Sequence, residues 1–340
     1  MAINPRTILA TEGVASVLAR LESAGYIVQT ELIASFVNAL RLCKPFFIQG
    51  PAGVGKTALA ERLAVAFDLP MFVLQGVEDL SIADTLYCWD TEEQDRWLSQ
   101  MVTASLQQNP NVNLIELLAS LREQKFSKEF LVLGEITKAF EYAARTKQSC
   151  LLLVDEVDKL QRKIQNMMLA LFARGTMRIP RYEGIIGIAD KEFWPIIVVT
   201  SNDESPVSHP FRSRHSFAVL PRPGLKDELR ILQRKVPTAP PTLVAQVALI
   251  VSAFRLKSGF VEYPGIREAE DFLRLLWQEK TTKITPKVLG DCAGLLAKNA
   301  NDFLRFLKPD TLDYLLAESE VKHGEVEDFL AASEILLATE

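Results

Sequence analysis

The segment PFFIQGPAGVGKTALAERLAVAF, residues 45–67, decides the fold class. It opens with a short apolar run, continues through a glycine-rich turn and ends in strong helix formers. It therefore predicts a buried strand, a loop and a helix. The turn satisfies the pattern G-x-x-x-x-G-K-[ST] at Gly50, Gly55, Lys56 and Thr57. In that context the pattern predicts a phosphate-binding loop.

The chemistry of this turn explains its residue types. Glycines allow backbone N–H groups to turn inward around phosphate oxygens, and the N-terminus of the following helix adds a favourable dipole. Lys56 is expected to reach the β and γ phosphates, and Thr57 to bind Mg²⁺. A plain glycine-rich turn is the structural alternative. The predicted nucleotide contacts in this segment are Gly50, Pro51, Ala52, Gly53, Val54, Gly55, Lys56, Thr57 and Ala58.

Four further apolar runs follow along the chain and have a similar composition. They are PMFVLQ at 70–75, CLLLVD at 150–155, PIIVVTS at 195–201 and SFAVL at 216–220. Because their apolar residues are continuous rather than alternating, they are typical of strands buried on both faces of a parallel sheet. Helical stretches such as ITKAFEYAARTK, 136–147, lie between them. The order of elements predicts an α/β, doubly wound fold.

Two carboxylates follow the third strand. Asp155 and Glu156 are expected at the carboxyl edge of the sheet, where nucleotide sites form. Asp155 would hold the magnesium shell, and Glu156 would orient or deprotonate the attacking water. The alternative is that DEVDK places acidic residues in the first turn of a helix.

The fourth strand delivers Ser201 and Asn202 to the same edge. The Asn202 amide could bond the γ-phosphate or the water, whereas a plain Asn202-Asp203 turn is the alternative. Arg212 and Arg214 precede the fifth strand and could neutralise charge on the transferred phosphoryl group, or simply be solvated. The three histidines show no ligand or triad spacing, which favours structural roles.

Net charge, cysteine spacing and the lengths of the apolar runs limit the classes of function that the chain can have. The chain has 340 residues and a net charge of −5, the opposite of the basic footprint of a general nucleic-acid binder. Its four cysteines are scattered, which indicates a reducing compartment. We find no signal peptide and no apolar run long enough to span a membrane, so a cytoplasmic protein without membrane insertion is expected.

The sheet pattern ends near Pro221 and Pro223, and the later sequence is helical. We therefore predict a nucleotide-binding domain over 1–222 and a helical domain over 223–340, with acidic C-terminal helices. Residues 98–128, which include the polar stretch QQNPNVN, are expected to form a surface insertion. Residues 177–194 surround Glu183-Gly184 and are consistent with either a hairpin that presents Arg178 and Arg181 or an irregular loop.

With these motifs in order, the chain resembles the AAA+ ATPases, and within them the MoxR type. The likeness rests on GPAGVGKT (Walker A), LLLVDE (Walker B), TSN (sensor 1) and FRSRH (arginine-finger region). For the MoxR type it also rests on LQGVEDLSIADTLYCWD and the segment 183–202. The finger region departs from the usual leucine-aspartate-arginine-phenylalanine pattern.

This resemblance implies a core sheet of order 5-1-4-3-2, a helical lid and a ring, usually a hexamer, with ATP and Mg²⁺ between subunits. Glu156 and Asn202 then act within one subunit. An arginine completes the site of the neighbouring subunit, and Arg214 is preferred over Arg212 for this role. Arg267, in YPGIREAEDFL, is the sensor 2 candidate. Such proteins typically remodel a protein client, often with a partner that bears a von Willebrand factor A domain. They also carry insertions, which in this chain would lie near 76–130 and 177–194.

Three functions remain open at this point. The first is an ATPase that remodels a protein client. The second is a nucleotide-dependent assembly switch or scaffold with slow hydrolysis. The third is a nucleic-acid-linked AAA+ ATPase, which the acidic bulk charge disfavours.

Overall fold

Short apolar segments form the strands in the computed structural model, which describes residues 4–27, 30–281 and 283–321. In chain order the strands are β1 (Phe46–Gln49), β2 (Met71–Gln75), β3 (Tyr87–Trp89), β4 (Leu131–Leu133), β5 (Leu151–Asp155), β6 (Thr176–Arg178), β7 (Ile185–Gly187), β8 (Ile196–Ser201) and β9 (Ser216–Val219).

Five of these strands form the central sheet in the order β2-β5-β8-β1-β9, and every neighbouring pair is parallel. Numbered 1 to 5 along the chain, the sheet strands lie in the order 2-3-4-1-5, which from the opposite edge reads 5-1-4-3-2. The predicted α/β class is confirmed. β5 and β8 are buried along their whole length, as their unbroken apolar sequences require.

Helices lie before, between and after the strands. In the first part of the chain they are α1 (Pro5–Thr11), α2 (Val14–Ser23), α3 (Thr30–Arg41), α4 (Lys56–Ala66), α5 (Ile82–Thr85), α6 (Thr91–Gln108), α7 (Leu114–Gln124), α8 (Glu135–Thr146), α9 (Arg162–Arg174) and α10 (His209–Ser213). The later ones are α11 (Leu225–Lys235), α12 (Pro241–Leu256), α13 (Ile266–Gln278), α14 (Pro286–Asp291), α15 (Ala293–Leu296), α16 (Ala300–Phe306) and α17 (Pro309–Val321).

The register of the sheet brings polar residues together at its carboxyl edge. Gln75 at the end of β2 pairs with Asp155 at the end of β5, and Gln49 pairs with Ser201. Phe47 and alternate apolar residues of β5 and β8 pack in one buried cluster with α8 and α9; those strand residues are Leu152, Val154, Ile197 and Val199. The core therefore fixes the strand ends that carry the candidate site.

The segments predicted to be insertions contain their own structure. β3 and β4 form an antiparallel pair, and α6 and α7 lie between them in sequence. β6 and β7 also pair antiparallel, so residues 177–194 contain the hairpin rather than an irregular loop. Its tip includes Arg181, whose φ of 69° is unusual for a residue with a side chain.

The described chain separates into two compact units. The first comprises residues 4–24, 30–49 and 57–219, and the second comprises 25–27, 50–56 and the described residues from 220 to 321. The second unit has its own core, in which α12 contributes Val247, Ile250 and Phe254. The phosphate loop thus clusters with the C-terminal helices, which the sequence did not indicate.

The sequence between α13 and α17 forms short helices. PKVLGDCAGLLAK, residues 286–298, contains the two helices α14 and α15, which fits the glycines at 290 and 294. α17 ends at Val321, and the acidic C-terminal residues 322–340 lie outside the described part of the chain.

Across residues 4–27, 30–281 and 283–321, no helix combines the length and apolar character needed to cross a bilayer.

Candidate nucleotide-binding site

The phosphate loop has the backbone that its glycines predict. Gly53 and Gly55 have φ values of 75° and 97°, a region that residues with a Cβ rarely enter. A Cβ at Gly50 would collide with the carbonyl oxygen of Leu220, so this position also requires glycine. The other predicted contacts, Pro51, Ala52 and Val54, complete the loop, whereas Thr57 and Ala58 follow in the first turn of α4.

Lys56 is buried and points back along its own loop. Its Nζ donates to the carbonyl oxygens of Gly50 and Pro51, at 2.7 Å each. These bonds hold the ammonium group among the loop atoms, where it can meet a phosphate. The contact of Lys56 with the β and γ phosphates stays a prediction.

Tyr26 supports the loop, and sequence reasoning missed it. Its hydroxyl donates to the carbonyl oxygen of Gly55 at 2.9 Å. In a loop whose N–H groups turn inward, outward carbonyls need donors of their own. Burial raises the pKa of Tyr26, so the phenol keeps its proton and remains a donor. No local motif signals this contact, because 29 residues separate Tyr26 from Gly55.

Arg267 lies in the first turn of α13, near the phosphate loop. A Cβ at Gly53 would stand 3.7 Å from the Cα of Gly265 and 3.6 Å from Oε2 of Glu268, which accepts a 2.7 Å bond from the Gly265 N–H. Arg267 is exposed and makes no hydrogen bond or ion pair with the described residues. Because a cation at a helix N-terminus is disfavoured by the helix dipole, Arg267 is suited to an anionic partner.

A buried ion pair fixes the chain that leads into α13. Arg255 bonds both carboxylate oxygens of Glu228, at 2.7 and 2.9 Å, and its Nε donates to the carbonyl oxygen of Pro264. Burial raises the pKa of Glu228, and Arg255 opposes that rise. A nearly fully buried carboxylate needs such a partner to stay ionised. The pair therefore positions the backbone next to Gly265.

Thr57 and Asp155, both predicted to bind Mg²⁺, contact each other directly. The Thr57 hydroxyl lies 3.0 Å from both carboxylate oxygens of Asp155, and Thr200 also donates to Asp155. Asp155 is buried at the carboxyl end of β5. A carboxylate and a hydroxyl are the hard oxygen ligands that Mg²⁺ accepts, with water completing its shell. These residues fit a magnesium ion.

Glu156 stands in a network of three donors. Its Oε1 accepts from Asn202 Nδ2 at 2.9 Å, and its Oε2 accepts from Lys159 Nζ at 2.8 Å and Gln75 Nε2 at 3.1 Å. The φ of Glu156 is 53°, a conformation that costs a non-glycine residue about 1–2 kcal/mol and often marks a functional position. The hydrogen bond from Lys159, joined by that from Asn202, lowers the pKa of Glu156.

Asn202 lies at the start of the bend that follows β8, and its side chain contacts Glu156. A bond from its amide to the γ-phosphate or the water stays a prediction. The Asp203 N–H donates to Ser201 Oγ at 3.0 Å. Asp158 is buried and accepts from the N–H groups of Asn202 and Glu204. Ser201 therefore stabilises the turn, and Thr200 rather than Ser201 bonds Asp155.

Arg212 and Arg214 lie apart from this hydrogen-bonded network. Arg212 is in α10, Arg214 caps it, and both are exposed. Neither side chain forms a hydrogen bond or an ion pair with any residue in the described ranges. The structure thus links Thr57, Asp155, Glu156 and Asn202 through direct contacts but does not link the two arginines to them.

Gln75, Lys159 and Thr200 were not predicted as site residues. For Gln75 a signal existed, because a polar residue ending an apolar strand was the same clue that indicated Asn202. Lys159 was hidden in DEVDK, whose local pattern is also typical of a capped helix. Instead, Val157–Lys159 forms a single 3₁₀ turn that brings Lys159 back to Glu156.

Lys159→Met should move the acidic limb of the ATPase pH profile to higher pH. In the parent protein Lys159 lowers the pKa of Glu156, so Glu156 stays ionised to lower pH. Without the ammonium group the pKa of Glu156 rises, and Glu156 becomes protonated at a higher pH. Phosphate release measured across the pH range tests this, with Lys159→Arg as the charge-conserving control. An unmoved limb in Lys159→Met would contradict the assignment.

Comparison with known proteins gives a family. The family model named AAA domain (dynein-related subfamily) matches residues 45–215, about half of the chain. Among solved structures, Thermotoga maritima RuvB, the Holliday junction branch migration motor, is similar with a TM-score of 0.42 and 14% identity, covering 82% of this chain and 72% of that one. A point mutant of the same RuvB has a TM-score of 0.43 and 15% identity, covering 79% and 71%. No curated protein matches the chain.

The matched segment runs from the residue before β1 to His215, and so spans the phosphate loop, the Asp155-Glu156 pair and Asn202. The chain belongs to the AAA domain family, dynein-related subfamily.

Proposed function

We propose that this protein is a Mg²⁺-dependent ATPase of the MoxR type that assembles into a ring and remodels a protein client. The observation that carries the proposal is the contact network at the carboxyl edge of the sheet. There Asp155 meets Thr57, and Glu156 is held by Asn202. A simple phosphate-binding loop would need neither the second carboxylate nor its amide partner.

The residues divide the work of phosphoryl transfer. The loop amides and Lys56 bind the phosphates, and Thr57 with Asp155 would hold Mg²⁺, which supplies charge neutralisation at the β and γ phosphates. Glu156 is kept ionised by its donors and accepts a proton from the attacking water. Asn202 orients Glu156 through the 2.9 Å bond to Oε1. We assign Arg267, which lies near the phosphate loop, to the γ-phosphate.

The proposed ring is supported by the exposure of two arginine side chains that do not contact the site residues of their own subunit. Phosphoryl transfer gains strongly from an arginine that stabilises developing charge, yet Arg212 and Arg214 are exposed and make no bond to the described site residues. We assign Arg214, in preference to Arg212, to the nucleotide site of a neighbouring subunit. A hexamer, a protein client and a von Willebrand factor A domain partner are the further proposals that the MoxR likeness supports.

Mixing two inactive variants tests this arrangement. Arg214→Ala subunits keep their own phosphate loop, and Lys56→Ala subunits keep Arg214. Each variant alone should lose most ATP turnover, on the order of 10³-fold for a missing finger arginine. A mixture should regain measurable activity, because some interfaces combine an intact loop with an intact Arg214. The readout is steady-state phosphate release as a function of mixing ratio.

The matched control is a mixture of Lys56→Ala with the double variant Lys56→Ala, Arg214→Ala, which contains no intact loop and should stay inactive. No recovery in the first mixture would count against a finger acting between subunits. Negligible turnover by the assembled parent protein, with or without client, would instead favour the assembly switch.

A further inference from the structure

The helix α16 turns an apolar side to solvent. Phe303, Leu304 and Leu307 are 37%, 66% and 38% exposed, and Ala300 is exposed as well. These four residues are spaced i, i+3, i+4 and i+7, so they share one side of the helix. Phe306 belongs instead to the buried core of the second unit. α16 therefore has apolar side chains beyond those that its own core uses.

Two glycines leave space beside this side of α16. A Cβ at Gly290 in α14 would stand 3.7 Å from Leu307 Cδ2, and one at Gly294 in α15 would stand 3.9 Å from Phe303 Cε2. Apolar residues with this helical spacing are the pattern by which an amphipathic helix binds an apolar partner. We use the name α16 surface for Ala300, Phe303, Leu304 and Leu307 together with Gly290 and Gly294.

The exposed charges around the α16 surface are mostly positive. Lys298 Nζ lies 3.4 Å from the carbonyl oxygen of Gly294, and Lys308 directly follows Leu307. Both lysines are exposed, and neither forms an ion pair with a described residue. Over residues 286–308 the charged residues are Lys287, Lys298, Arg305 and Lys308 against Asp291 and Asp302. Because Asp302 is buried and accepts from two backbone N–H groups, an acidic partner is favoured here.

The sequence of the C-terminal segment complements the α16 surface in both respects. Residues 325–340 contain no lysine or arginine and five acidic residues, which are Glu325, Glu327, Asp328, Glu334 and Glu340. Apolar residues recur in the same stretch at helical spacing, at Val326, Phe329, Leu330, Leu336 and Leu337. A segment with this pattern can bury its apolar residues and place carboxylates beside lysines at the rim.

This segment is long enough to reach the α16 surface. α17 starts at Pro309, directly after Lys308, and its 13 residues extend about 20 Å to Val321. From Val321, eight residues lead to Phe329 and span up to about 26 Å when extended. Phe329 can therefore return to the end of α16, and the residues that follow it can run along that helix.

We propose that residues 325–338 bind the α16 surface of their own chain. Their apolar residues contact Phe303, Leu304 and Leu307, and their carboxylates lie beside Lys298 and Lys308. The α16 surface is thereby covered by the same polypeptide, without a partner protein. The proposal needs no residue of the nucleotide site.

Photocrosslinking from position 304 tests the contact in the full chain. A photoreactive benzoylphenylalanine replaces Leu304, and isotope-labelled and unlabelled chains are mixed before irradiation. We expect mass spectrometry to find crosslinks from position 304 to residues 325–338 that join peptides of the same isotope. The matched control places the same probe at Leu42, a leucine of the first unit that is 64% exposed, and should give no crosslink to this segment.

Cleavage by a glutamyl endopeptidase measures the strength of the contact. A bound segment is cut only when it opens, so Leu304→Asp should release the C-terminal peptide about 10- to 100-fold faster, the effect of losing one buried leucine. Leu336→Asp, on the other partner, should have a similar effect, and the double variant should add little to either. Leu42→Asp should cleave at the parental rate.

Three results would overturn the proposal. Crosslinks only between peptides of different isotope would show that the segment binds a neighbouring chain. Crosslinks from position 304 only to residues outside 325–338 would show that something else covers the α16 surface. Equal cleavage rates in the parent, Leu304→Asp and Leu336→Asp proteins would show that the contact does not form. Both measurements are made without nucleotide, so they remain separate from the test of the proposed function.

Discussion

Glu156→Gln should lower the ATP turnover number by at least about 100-fold and leave ATP binding near that of the parent protein, because general base catalysis typically contributes about 10²- to 10⁴-fold. The amide keeps the size of the side chain but cannot take a proton from water. It also places an NH₂ group opposite Asn202 or Lys159, both of which donate to Glu156. Single-turnover hydrolysis and a separate nucleotide-binding titration give the two quantities.

Glu204→Gln is the matched control for this experiment. Glu204 lies in the same cluster, accepts a longer bond of 3.4 Å from Asn202 and carries the same charge. If removing negative charge near Lys159 were the cause, the two variants would behave alike. We expect the Glu204 variant to retain most activity, while the Glu156 variant accumulates as an ATP-bound assembly in light scattering. Turnover at the parental rate in Glu156→Gln would remove the role assigned to this carboxylate.

Lys56→Ala should weaken ATP binding by about 3 kcal/mol, or roughly 100-fold, since it removes a buried charged donor to phosphate. The same change leaves the carbonyl oxygens of Gly50 and Pro51 without the bonds that Lys56 now donates. The loop therefore loses both its charge and an internal support. A fluorescent nucleotide titration measures the affinity.

The control for Lys56→Ala is Lys163→Ala, which removes an exposed lysine from α9 and should leave the affinity unchanged. Thermal unfolding of both variants separates loss of binding from loss of fold. An Lys56→Ala protein that binds ATP as the parent does would show that the loop amides alone hold the phosphates.

The sequence predicted those parts of the site that lie in contiguous segments or at the ends of apolar strands. β1, the glycine turn and α4 are contiguous, so their strand, loop and helix signals reinforce one another. Asp155 and Asn202 were predicted because each ends an apolar strand, and parallel strands bring such ends to one edge. The sheet order came from the resemblance to a family, since apolar runs alone do not say which strands are neighbours.

The parts that sequence reasoning missed depend on distance along the chain. Tyr26 reaches Gly55, and Gln75 reaches Glu156, across 29 and 81 positions. No periodicity encodes such contacts. His215 was assigned a structural role for lack of ligand spacing, and its burial among aromatic rings agrees with that, yet its unpartnered nitrogen only became visible once the neighbours were placed.

Gly76 directly follows Gln75 at the end of β2. A Cβ there would collide with the carbonyl oxygens of Asp155 and Glu156, and its N–H donates to the Asp155 carbonyl oxygen at 2.7 Å. β2 is an edge strand with mostly half-exposed side chains. The spacing between Gln75 and Glu156 is thus set by main-chain fit rather than by side-chain packing. An exposed side chain of β2 such as Val73 can accordingly be replaced without altering this spacing, whereas a Cβ at position 76 would force the main chain of Asp155 or Glu156 to shift.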